Sequence, residues 1–197
     1  MDKKDIKAAF EKALERANTY RSPIAARRSL WLKIKGEKLT DNRPVTERVK
    51  TFEDACKELG DKHPMWIAYN DAYRLDVDEN AHDIIAYLKL RIIIAALNEG
   101  WTPQFTEGEE RWYPWFTLWT EEELSEKSDE WKADRHLIST GGYSGDYAGF
   151  AFSNSIYAPS HSNTFVGSRL CFKSEALATY CGKQFISLWA DFNLIHK

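Results

Sequence analysis

Five side chains in the C-terminal half of the chain could hold a ligand: Trp112, Trp115, Tyr143, Tyr147 and Arg169. Indole and phenol rings offer flat faces on which a base or another ring stacks, and a guanidinium grips a carboxylate or phosphate through paired N–H donors. The supply of rings is generous, since eight Trp, nine Tyr and ten Phe make up 14% of the sequence. Rings also build cores, and composition does not separate the two uses. The fold must decide whether Trp112, Trp115, Tyr143 and Arg169 line one open cleft.

The local context of these residues sets expectations. Arg169 lies in 167–172, a run that reads as a strand, so alternation places it on the face of Cys171, opposite Leu170 and Phe172. It then either forms a structural ion pair or clamps an anion. Tyr143 and Tyr147 flank the glycines Gly141, Gly142, Gly145 and Gly149. Such a loop brings backbone N–H groups close to an anion, but phosphate cradles lead into a helix, and here a strand is expected to follow. A turn between strands is the plainer reading. Ser160, His161 and Ser162 with Asp146 supply the residue types of a hydrolytic triad, without the glycine pattern of a nucleophile elbow.

Stronger catalytic signatures are absent from the sequence. It has no phosphate-loop lysine motif, no dinucleotide glycine fingerprint, no His-Glu-x-x-His and no Cys-x-x-Cys. The histidines at 63, 82, 136, 161 and 196 lack metal-ligand spacing, so neither a metal nor a cofactor is expected. Residues 51–60 and 64–73 have the outline of a helix-turn-helix, but the second segment is rich in large apolar groups and reads as packing.

The elements that must position these groups are legible in part. Apolar residues at helical spacing predict helices over 2–20 and 23–36, and a polar connector follows to Val45. Thr51 with Asp54 reads as a capped start, Pro64 as the opening of another helix, and Asn80 as the cap of a long helix over 81–98. That helix is apolar nearly all round at its centre and is expected to be the main core element, touching the terminal helix through Ile85, Leu88, Ile92 or Ala96. Arg91 within it calls for a buried acid or an exposed tip. Residues 111–119 read as an edge or bent strand because of Pro114. Thr120 and Glu123 open a short acidic helix, 149–154 and 164–172 read as strands, and Ser174 caps one helix to about Phe192. Helices, then short strands, then a closing helix predict an α+β fold: a mostly helical N-terminal half, a small antiparallel sheet and a C-terminal helix. A helical arm over 1–45 and a globular domain over 46–197 are the expected division.

Charge and cysteine usage narrow the class. The net charge of −3 excludes a generic nucleic-acid coat, and 43% hydrophobic content excludes disorder. Residues 21–50 carry nine bases against three acids, while 107–130 carry nine acids against two bases. These are solvated faces, faces that meet in a homo-oligomer, or a basic arm for an acidic partner. Cys56, Cys171 and Cys181 fit reduced thiols in a cytoplasm. No apolar leader follows Met1, and the run 84–97 is too short to span a membrane, so no membrane partner is expected.

Four strings carry a resemblance: 167–186 running on to 191–195, Val49 to Cys56, Ile94 to Trp101, and Tyr113 to Phe116. Together they resemble a family of small uncharacterised proteins of phages and prophages of Bacteroidetes. The resemblance covers patches between 48 and 195, implies a mobile-element product in a bacterial cytoplasm, and transfers no activity or site residue. The expected function is a non-enzymatic binding protein, its aromatic site taking a nucleotide, a short single strand or a peptide. A structural or assembly oligomer and an enzyme without a short motif are the alternatives.

Overall fold

The computed structural model describes residues 41–74, 81–104, 106–141, 146–159 and 168–195. They belong almost wholly to a compact unit running from Arg43 to Lys197. The expected helices over 2–20 and 23–36, and with them the helical arm, lie outside the described residues. Val45 is already part of the core of this unit, one residue before the expected start of the globular domain.

Among the described residues, four helices come first. α1 (Val45–Arg48) is a single turn that buries Val45. α2 (Phe52–Leu59) starts as its sequence dictates: the Thr51 hydroxyl accepts from the Asp54 N–H, and the Asp54 carboxylate accepts from the Thr51 N–H, both at 3.1 Å. Gly60 closes it with φ 78°, a conformation that favours glycine. α3 (Pro64–Arg74) turns Met65, Trp66 and Tyr69 onto the core, in keeping with packing.

α4 (His82–Leu97) is the spine. Leu90, Ile92, Ile93, Ile94, Ala96 and Leu97 are all buried, because α2, α3 and the last helix pack around it. Its N-cap position is Ala81, without a side-chain cap; Asn80 lies outside the described residues. Arg91 takes neither expected course. It donates to the Tyr87 hydroxyl at 3.0 Å and lies 5.6 Å from the centre of that ring, one turn back on its own helix.

The second half is a three-stranded antiparallel sheet with helices on it. β1 (Glu110–Thr120) leads into α5 (Glu121–Ser125), capped by Thr120 and Glu123. α6 (Asp129–Asp134), β2 (Ile138–Ser139) and β3 (Tyr147–Pro159) follow. The order is β1-β3-β2, so β1 lies at one edge, as Pro114 demands. Trp112 pairs with Tyr157 and Leu118 with Phe150, and the register shifts between Trp115 and Phe116, leaving Ser153 as the extra residue of a bulge.

The strand expected over 164–172 is not found where it is described. Ser168–Leu170 is a 3-10 turn, and only Phe172 bridges to Trp112. The reason is a distant clamp: Asn98, buried at the end of α4, donates to the Cys171 carbonyl at 2.9 Å and accepts from the Lys173 N–H at 3.1 Å. Ser174 then caps α7 (Glu175–Gln184), but the expected single helix breaks at Phe185 and resumes as α8 (Ile186–Asn193). The break lets α7 lie on the sheet while α8 packs along α4, with the Tyr87 and Phe192 rings 5.8 Å apart. The α+β class and the placing of the sheet in the C-terminal half agree with the sequence.

Candidate functional site

β1 positions most of the candidate residues. Trp112 exchanges both backbone hydrogen bonds with Phe172, at 3.0 and 2.9 Å. Residue 112 therefore turns its backbone groups to the outer side of β1, and alternation turns those of 114, 116 and 118 the same way. Pro114, which has no N–H, falls on an outward position and costs the sheet no hydrogen bond. Among the described residues, Phe172 is the one outer backbone partner of β1.

A cavity of about 320 Å³ runs along this edge. Tyr113, Pro114, Trp115, Phe116 and Leu118 line one side, and Trp189, Asn193 and Leu194 of the α8 end line the other, with Phe150 at the floor. Consecutive residues of β1 contribute to it, and Phe150 of the central strand, paired with Leu118, brings one face of the sheet into it as well. The floor is built of stacked rings: Phe116 lies 4.8 Å from Phe150 and 5.5 Å from Trp189. Trp115 stands exposed at the mouth. None of the lining residues is charged.

The expected ligand residues are placed apart. Trp115 lines the groove. Trp112 is half-buried, its ring 5.3 Å from that of Tyr157 and off the groove lining. Tyr147 is exposed at the start of β3, where its carbonyl accepts from the Thr140 hydroxyl. Tyr143 lies outside the described residues, as do Ser160, His161 and Ser162. Arg169 is exposed on the 3-10 turn, so the strand face it was expected to share with Cys171 does not exist.

The arginine beside Cys171 is Arg111. With Trp112 opposite Phe172, Tyr113 falls opposite Cys171, and Arg111 lies on the same face of β1 as Tyr113. Arg111 is fully buried and Tyr113 nearly so. Burial pushes the Cys171 thiol up to about 11, against the Arg111 charge and a hydrogen bond with Tyr113, which favour the thiolate. The alternation of β1 was the signal that could have found this pair. The groove-lining residues of α8 were readable only as an apolar helix face.

Among the described residues, no group of three His, Cys, Asp or Glu side chains gathers as a metal site, and no helix is long and apolar enough to cross a membrane. No family model, curated protein or solved structure matches the chain.

Proposed function

We propose that the chain is a non-enzymatic binding protein of phage or prophage origin, and that its ligand is an extended apolar peptide added as a strand beside β1. The observation that carries this reading is the uncharged, ring-floored groove along the outer edge of β1. Strand addition draws affinity from backbone hydrogen bonds and specificity from pockets for alternate side chains. The outward groups of Phe116 and Leu118 would supply the bonds, and Trp115 with Trp189 would supply the apolar walls. A nucleotide or a single strand needs cations for its phosphates, and this groove offers none, so the peptide is favoured over them. The resemblance in residue strings supports the mobile-element origin.

The test uses a fluorescent peptide of alternating valine and threonine, the same peptide N-methylated at alternate residues, and an eight-residue oligothymidine. The unmethylated peptide should bind, the methylated one should not, and Trp115→Ala should weaken binding several-fold. Equal binding of both peptides would remove strand addition. Salt-sensitive binding of the oligothymidine alone would return the site to nucleic acid.

A further inference from the structure

A second aromatic site lies at the other end of β1. Trp119, the penultimate residue of the strand, and Trp131 of α6 meet at right angles, with ring centres 5.0 Å apart and planes at 82°. The Lys127 ammonium sits over both, 5.0 Å from the Trp119 ring and 5.7 Å from the Trp131 ring. Two adjacent caps hold the arrangement. Thr120 starts α5 directly after Trp119, and the Ser128 hydroxyl accepts from the Trp131 N–H at 3.2 Å. Lys127 lies between the two helices, where its own N–H donates to the Leu124 carbonyl at 3.2 Å.

The choice Lys127 makes is informative. Residues 121–135 hold seven acids against Lys127, Lys132 and Arg135, whose guanidinium lies 6.0 Å from the centre of the Trp131 ring. Lys127 nonetheless makes no ion pair among the described residues and rests on the two indoles. Two perpendicular indoles around a cation form an aromatic cage, and an acidic surround raises the local concentration of cations.

We infer that Trp119 and Trp131 form a binding site for a methylated ammonium group, and that Lys127 occupies it as an internal competitor. A primary ammonium gives up hydrogen bonds to enter a cage of rings, whereas a trimethylammonium has none to give up. The methylated group is therefore the better ligand and displaces Lys127. The group is either a free quaternary ammonium or a trimethylated lysine side chain.

The full chain is titrated with tetramethylammonium chloride while the indole N–H resonances are followed by NMR, assigned with Trp119→Phe and Trp131→Phe. Those two resonances should shift saturably. The midpoint should fall about tenfold in Lys127→Ala, the factor expected when Lys127 fills the cage roughly nine-tenths of the time. If the alanine variant does not fold, Lys127→Gln carries the same measurement. Trp131→Ala should abolish the response, and the neutral isostere 3,3-dimethylbutanol should give none. A peptide bearing trimethyl-lysine that binds more tightly than tetramethylammonium assigns the cage to a methylated chain, and equal binding assigns it to a small molecule. No saturable shift in the Lys127 variants, or an equal response to the neutral isostere, overturns the inference.

Discussion

Gly182 of α7 lies directly against Pro114 of β1. A Cβ on Gly182 would stand 2.7 Å from the Pro114 Cβ and 2.8 Å from the Phe152 ring. Neither a pyrrolidine ring nor a core phenyl can swing aside, so the helix would have to lift from the sheet. Gly182→Ala gains about 1 kcal/mol in helix propensity but overpacks a site where such changes cost about 1–3 kcal/mol. A net loss of up to about 2 kcal/mol is expected in denaturant melts. A stabilised variant would show that α7 is loosely seated.

Ile92 sits at the centre of α4 and is fully buried. Ile92→Ala should cost about 2–5 kcal/mol. A change below about 1 kcal/mol in the same melts would make α4 peripheral.

Asn98 clamps the segment from Cys171 to Lys173 with both ends of its amide. Asn98→Leu would strand a buried carbonyl and an N–H, at about 1–3 kcal/mol for each group left unmade. Asn98→Asp should also destabilise, because a carboxylate would face the Cys171 carbonyl where a donor now stands. Hydrogen exchange at the Lys173 and Trp112 amides should quicken in both variants. Unchanged protection there would mean that the bridge between Trp112 and Phe172 holds without Asn98.

Much of the fold is written locally, and the exceptions are the places where distant residues intervene. The caps at Thr51, Thr120 and Ser174 are readable because each involves residues within three positions. The length of β3 is not readable, because Ser153, Asn154 and Ser155 look like a loop until β1 pairs with Asn154 and Ser155. The 3-10 turn at Ser168–Leu170 and the break at Phe185 are imposed by α4 and the sheet. Trp115 was recognisable as a candidate from its type. Its companions Trp189, Asn193 and Leu194 come from a helix whose position only the tertiary fold sets.

Glu99 stands between Lys173, at 3.0 Å, and Arg48, at 2.6 Å. The Lys173 hydrogen bond, with the charges of both cations, holds its carboxyl below the ordinary value of 4.5. Because the folded value is depressed, the stabilisation is complete above 4.5 and is lost as pH falls through the lower folded value. In Glu99→Gln the fall of Tm below pH 4.5 should be shallower than in the wild type. Parallel curves would assign Glu99 no part in acid unfolding.

Burial pushes the Cys56 thiol up to about 12 and Cys171 to about 11, and raises Cys181 further still. All three cysteines should resist a thiol-reactive disulfide reagent in the folded chain and react together in denaturant. Rapid labelling of any one in native buffer would reveal local opening around it.

Pro114 also bears on how the chain survives its own synthesis. Until α7 packs onto it, β1 is an eleven-residue aromatic segment emerging as an open template for its own copies. Stacked identical strands need an unbroken row of N–H donors over about six or seven residues. Pro114 interrupts that row, leaving four residues of β1 before it and six, from Trp115 to Thr120, beyond it. A valine at 114 would still meet the fold's needs on the β3 side, since position 114 turns its backbone outward. The cost would fall on the newly made chain, as material lost to inclusion bodies before folding is complete.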